Sequence, residues 1–149
     1  MSLACTMRVA GPHAHFALCE VGLGLIPGGG TQRLPRLIGP GRAAEMILTT
    51  RAISPQEALQ IGLVQVLFDE EPFLDAVLAW AAPIAERPVG SLRAAKRALV
   101  EAGCLPLGEG LTREAELVGP LLASAEAIAM QEAAIARYAN TPADTVVQF

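Results

Sequence analysis

Aromatic residues are scarce in this chain: Phe, Tyr and Trp make up 4% of it, against 52% for all hydrophobic residues together. A core built from such a sequence rests on Leu, Ile, Val and Ala. Basic residues are neither abundant nor clustered. The 11 Lys and Arg face 15 Asp and Glu, a formal net charge of −4, and no Lys/Arg block is present to follow a phosphate backbone, so nucleic acid is not an expected partner. No stretch reaches the run of about 20 apolar residues that a membrane-spanning helix needs. The N-terminus lacks the basic region, apolar core and cleavage site of a secretory leader. The chain is therefore expected to be cytoplasmic. The cysteines, Cys5, Cys19 and Cys104, have neither metal-site spacing nor the even number of a disulfide framework. They are expected to be free thiols in a reducing compartment, buried as small apolar groups.

With 149 residues, the chain is long enough for one ordinary domain with its own core. A domain of that size has little interior for so many apolar side chains. Part of that surface is expected to be covered by further copies, giving a homo-oligomer.

Local signals divide the chain near residue 70. Met7-Arg8-Val9-Ala10 reads as a short strand closed by Gly11-Pro12, and His15-Phe16-Ala17-Leu18 as a second extended piece. Gly22 and Gly24 argue for a loop over 21–26. Pro27-Gly28-Gly29-Gly30 must turn tightly with its backbone exposed. A helix is expected over Thr31–Ile38 with Thr31 as N-cap and Pro35 in its first turn, then another over Arg42–Leu48 after Gly39-Pro40. Ser54-Pro55-Gln56-Glu57 is a capping box with proline at the first helical position, and Gly62 ends that helix. Leu63–Phe68 reads as a strand. Beyond Asp69-Glu70-Glu71-Pro72 the pattern is helical. Phe73, Val77, Trp80, Ala81 and Ile84 make one buried stripe, and Leu92, Ala95, Leu99 and Ala102 another, ended by Gly103. Helices are also expected over Leu111–Ala125, kinked or interrupted at Gly119-Pro120, and over Ala127–Tyr138.

Several polar groupings have ordinary explanations. Gly28-Gly29-Gly30-Thr31 has no lysine before the threonine and lacks the spacing of a phosphate-binding P-loop. His13 and His15 would share a face on a strand, but no further ligands accompany them, and they read as solvated loop residues, with no metal expected. Lys96 and Arg97 read as a solvated helix face.

The most informative segment runs from Glu20 to Pro35, Glu-Val-Gly-Leu-Gly-Leu-Ile-Pro-Gly-Gly-Gly-Thr-Gln-Arg-Leu-Pro, because it sets a carboxylate beside a glycine turn that opens a helix. A carboxyl near apolar surface keeps its proton more readily than one in water, which suits proton transfer. Free backbone N–H groups at a helix entry can orient an oxygen. From these residues alone, Glu20 could equally cap a turn or pair with Arg33 or Arg36, and Gly28 could be kept only for its φ angle.

The same segment, continued through Gly39-Pro40-Gly41-Arg42-Ala43-Ala44-Glu45-Met46-Ile47-Leu48-Thr49, Ile53-Ser54-Pro55-Gln56-Glu57-Ala58-Leu59, Gly62-Leu63-Val64 and, more weakly, Pro88–Lys96, resembles the crotonase superfamily of enoyl-CoA hydratases and isomerases. Cys19 stands where that family usually has proline, and the Pro27–Thr31 turn is one residue shorter than the common form. The resemblance implies an α/β chain that is the C-terminal portion of a crotonase-like (ClpP/crotonase) fold. Residues 1–70 would be part of the α/β core and 71–149 a helical oligomerisation region that builds trimers or hexamers. It also implies an acyl-CoA thioester as substrate, with no separate cofactor. Glu20 matches the family's second catalytic glutamate, and Gly28 the glycine whose N–H holds the catalytic water. The family's first glutamate, counted back from Glu20, falls just before Met1. The expected activity is syn-addition of water to a 2-enoyl-CoA. The alternatives are enoyl-CoA isomerisation and a non-catalytic oligomerising fragment. Arg137-Tyr138 loosely matches a basic and aromatic pair that lies near a neighbouring subunit's adenine pocket in the family.

Overall fold

The computed structural model describes residues 2–69 and 71–139. The chain divides into two compact units, Met1–Arg87 and Pro88–Phe149.

In the first unit, strand β1 (Val9–Ala10) pairs in parallel with β2 (Val66–Leu67), Val9 opposite Val66 and Ala10 opposite Leu67. The expected strand over 63–68 is shorter because the N–H groups of Leu63 and Val64 both return to the carbonyl of Ala58, which caps a helix instead of extending the ladder. Phe16 forms an isolated antiparallel bridge with Ile53, their N–H groups reaching each other's carbonyls at 3.2 and 2.9 Å. The expected extended piece at 15–18 is thus pinned across a distant segment.

Three helices complete this core: α1 (Gly30–Ile38), α2 (Pro40–Thr49) and α3 (Pro55–Gln60). Leu34 and Ile38 of α1, Ala43, Met46 and Ile47 of α2 and Ala58 of α3 join Ala10, Ile53, Leu63 and Val64 in one buried cluster. Ser54 Oγ accepts the Glu57 N–H at 3.1 Å, which is one arm of the expected capping box. The Glu57 carboxylate turns to Arg51. Gly62 leaves α3 with φ 77°.

Two expectations for α1 are corrected. Its N-cap is Gly29, with φ 77° and no side-chain cap, so Thr31 lies within the first turn. The chain enters the helix through a left-handed glycine that threonine could not replace without strain. Pro35 lies in the interior, where it withholds one backbone donor, and the Gly39 N–H still closes the helix on the Pro35 carbonyl at 3.0 Å.

Helix α4 (Phe73–Ala85) follows, with Phe73, Val77, Trp80, Ala81 and Ile84 half-buried. The Phe68 ring meets those of Phe73 and Trp80 edge-on at 6.3 and 6.2 Å.

The second unit contains α5 (Val89–Ala102), α6 (Leu107–Leu122) and α7 (Ala125–Ala139). The expected buried stripe on α5 is displaced. Leu92, Ala94, Ala98 and Glu101 are the half-buried residues, while Ala95, Leu99 and Ala102 are exposed. The reason is α6. Arg113 donates from Nε to Glu101 at 2.8 Å, and a Cβ added to Gly90 would lie 3.4 Å from Leu121, so small residues and an ion pair form the contact. Helix α6 starts four residues before the expected Leu111 and runs through Gly119-Pro120 to Leu122, packing against α5 outweighing the weak helix preference of its glycines. All three cysteines are free and exposed, contrary to the burial expected of them.

Candidate active site

Glu20 opens a 3-10 turn, Glu20–Leu23, where the glycine pattern suggested a plain loop. Gly24, at φ 76°, ends that turn, and its N–H and that of Leu25 return to the carbonyls of Val21 and Glu20 at 3.1 and 2.9 Å. The turn is anchored at two places. Before it, Leu18 lies against Gly30 at the entry to α1: a Cβ on Gly30 would meet Leu18 Cδ1 at 3.3 Å and Pro27 Cβ at 2.7 Å. Within it, Gly22 abuts the Thr50 side chain, whose methyl would lie 3.6 Å from an added Cβ. Thr50 ends α2 and is a non-glycine residue at positive φ, 56°. Glu20 is thereby held between the start of α1 and the end of α2.

Glu20 Oε2 is buried and has no hydrogen-bond partner, the one such side-chain oxygen or nitrogen among the described residues. Neither basic candidate takes it. Arg36 Nη1 donates to the Gln32 carbonyl at 2.6 Å, and the Arg33 guanidinium folds over Gly29, occupying the space a Cβ there would need. Buried polar atoms are almost always satisfied, so an orphaned carboxyl oxygen calls for an explanation such as a catalytic role.

Gly28 is exposed, is not among the positive-φ glycines, and a Cβ on it would meet nothing within 4 Å. Neither φ nor crowding requires glycine there. Its N–H and that of Gly29 make no hydrogen bond among the described residues. Chemically, the segment offers a carboxyl oxygen not committed to any protein donor and bare amides at a helix entry, both held by contacts from elsewhere in the chain.

Other candidates separate from this site. His13 and His15 are exposed, and no group of three or more potential metal-binding side chains occurs among the described residues. Lys96 and Arg97 are exposed, with Arg97 paired to Glu101 at 2.9 Å. The Tyr138 side chain and residues 140–149 lie outside the described residues. No described helix is long and apolar enough to cross a membrane.

The sequence reading missed two features. Arg8 is 7% exposed, and its guanidinium donates to the carbonyls of Leu63 and Cys5, both at 2.6 Å, tying the N-terminal segment to the α3–β2 corner. Arg51 bridges Glu45 and Glu57, and its hydrogen bonds are the main reason the Glu57 carboxyl lies below its ordinary range. A cleft of about 220 Å³ between α5 and α6, lined by Leu99, Leu105, Leu107 and Leu111 among others, includes neither Glu20 nor Gly28.

The family model described as enoyl-CoA hydratase/isomerase matches residues 1–140. The 2,3-dehydroadipyl-CoA hydratase of Escherichia coli (strain K12) is 40% identical over 127 residues, which are 85% of this chain and 49% of that protein. The crotonyl-CoA hydratase of Syntrophomonas wolfei is 38% identical over 120 residues, 80% of this chain and 46% of the relative. Among solved structures, the enoyl-CoA hydratase of Bacillus anthracis superposes with a TM-score of 0.84 at 37% identity, over 91% of this chain and 53% of the other. The chain spans about half the length of these hydratases. It spans 12% of a glyoxysomal multifunctional protein of Brassica napus, with which it is 46% identical over 88 residues.

Proposed function

This chain belongs to the enoyl-CoA hydratase/isomerase family, its fold is the C-terminal part of the crotonase fold, and from that premise we propose that it takes part in hydrating 2-enoyl-CoA thioesters. In this reading Glu20 gives its proton to the α-carbon and the Gly28 N–H holds the oxygen of the incoming water. The water oxygen bonds to the β-carbon and keeps one proton as the new hydroxyl. Its other proton goes to a general base. No separate cofactor takes part; the acyl-CoA is itself the substrate.

The observation that carries the reading is the unpartnered, buried Glu20 Oε2. A carboxyl saturated by protein donors is committed to structure, whereas an oxygen held in place with no donor is available to exchange a proton with a bound substrate. The open space beside Gly28 and its free amide support the second role. Assembly into a trimer or hexamer belongs to the same reading. The support for it is the large apolar side chains left exposed on the second unit, among them Leu99, Leu107 and Ile135. The free thiols agree with a cytoplasmic setting.

The test is loss of the conjugated thioester absorbance of crotonyl-CoA. The protein is expected to remove it, and Glu20→Gln to lower kcat by roughly 100-fold or more, as removal of a general acid does, with a smaller change in KM. An inert wild-type protein, or a Glu20→Gln variant of unchanged rate, overturns the proposal. Conversion of a 3-enoyl thioester alone makes the protein an isomerase instead.

A further inference from the structure

We infer that Arg51 is a positioning residue for Glu20: by tying together the chain on both sides of Thr50, it fixes the strained corner against which the Glu20 turn rests. The inference rests on the proposed hydratase reading and adds to it a residue that touches no reacting atom.

Thr50 holds φ 56° at the end of α2, an angle unfavourable for a β-branched residue, which persists only where surrounding contacts leave it no alternative. Those contacts converge on Glu45 and Glu57. Before Thr50, the Thr49 hydroxyl donates to the Glu45 carbonyl at 2.7 Å and accepts the Arg51 N–H at 3.4 Å. After it, Arg51 Nε donates to the Glu45 carboxylate at 2.8 Å, while Nη1 and Nη2 donate to the two Glu57 oxygens at 2.9 and 2.5 Å. The donors of a guanidinium lie in one rigid fork, so bonds to two carboxylates fix its direction as well as its distance. Glu57 is itself anchored, its N–H bonded to Ser54 Oγ at the start of α3. Arg51 thus joins the end of α2 to the start of α3 across the residue that carries the strain.

The corner bears on the site through the Thr50 side chain. It lies against Gly22, where an added Cβ would be 3.6 Å from the methyl and 3.8 Å from the hydroxyl, and Gly22 belongs to the turn that Glu20 opens. Glu20 Oε2 has no donor of its own to aim it. Its direction therefore depends on the backbone beneath it. A Thr50 relaxed to negative φ would carry its side chain away from Gly22, and the turn would lose that support. The ion pairs of Arg51 are partly exposed, which limits what they add to global stability. Their removal is felt first at the corner they hold.

Residue-resolved hydrogen exchange and crotonyl-CoA kinetics on the full chain test this. In Arg51→Met the amides of Gly22, Gly24 and Leu25, all bonded within the turn, are expected to exchange about fivefold faster than in wild type through local opening. Those of Gln65 and Phe68, bonded to the Arg8 and Ala10 carbonyls, are expected to keep their rates. The value of kcat is expected to fall about tenfold with KM little changed, as displacement of a reacting group does. Arg51→Lys, a cation without the planar fork, is expected to lie between the two, and it carries the same comparison if Arg51→Met does not fold. Arg97→Met, which removes an exposed ion pair of α5, is expected to change neither readout. Unaltered exchange in the turn overturns the inference, as does acceleration spread equally over the turn and the β1–β2 pair, the mark of a general loss of stability. Selective exchange with kcat unchanged also overturns it, leaving the role of Glu20 standing. A wild-type protein inert toward crotonyl-CoA overturns the hydratase reading, whereas selective exchange in that same protein still supports Arg51 as the residue that positions the turn.

Discussion

At Gly28, glycine is needed neither for a left-handed backbone nor for lack of room; two residues on, a Cβ at Gly30 would be forced to within 2.7 Å of Pro27 Cβ. Alanine should therefore separate the two positions. Gly28→Ala is expected to melt like wild type but to lose about tenfold or more in kcat/KM, because its methyl enters the open space beside the bare amides, and a misplacement on the order of 1 Å can cost about 100-fold. Gly30→Ala is expected to destabilise by about 1–3 kcal/mol through overpacking. Thermal melts and hydration kinetics on the same preparations check both. Of the site itself, the sequence made Glu20 and Gly28 legible as positions, because a carboxylate before a glycine-rich helix entry is a local pattern. The orphaned Oε2 was not legible. It depends on Leu18 meeting Gly30 and Gly22 meeting Thr50, and the second of these joins residues far apart in the chain.

Among the elements, α3 has the most explicit charge dependence. Arg51 donates to both oxygens of Glu57, at 2.9 and 2.5 Å, and to Glu45 at 2.8 Å, and the Glu57 carboxyl is held below its usual value mainly by the Arg51 hydrogen bonds. A depressed carboxyl stabilises the folded state above the ordinary carboxylate range, and that contribution is lost as pH falls through and below it. Arg51→Met should therefore lower the melting temperature at pH 6 and do so progressively less toward pH 3. Equal lowering at both pH values would show that the pair does not carry the effect. The start of α3 was readable because Ser54, Pro55 and Glu57 encode it within four residues, and the turn at Gly29 because only glycine reaches that angle easily. The buried side of α5 and the early start of α6 were not readable. Both are set by one helix packing against the other, which periodicity within a single helix does not report.

For the molecule as a whole, burial is uneven. Among the described residues, the ten buried hydrophobic side chains of the core all lie between Ala10 and Val64, whereas α4, α5 and α6 contain no buried residue. Leu34, 1% exposed, is central to that core. Leu34→Ala is expected to cost about 2–5 kcal/mol and to appear as earlier melting of the first unit. The helices of the second unit are expected to respond instead to dilution if copies cover their apolar faces, which sedimentation at two concentrations checks. The change from mixed to all-helical character was visible in the sequence from the cluster of acids and prolines before Phe73. Where the compact units part, at Arg87 and Pro88, was not, because α4 looks like the later helices by its pattern yet its Phe73 and Trp80 rings meet Phe68.

The left-handed angle at Thr50 sets durability against turnover. Thr50→Gly would release the backbone strain and make the chain harder to melt, by about 1 kcal/mol, while removing the methyl that braces the neighbouring bend. Selection for heat resistance alone would favour that exchange, and under the proposed reading the resulting protein would be sturdier and slower, the Glu20 carboxyl free to swing.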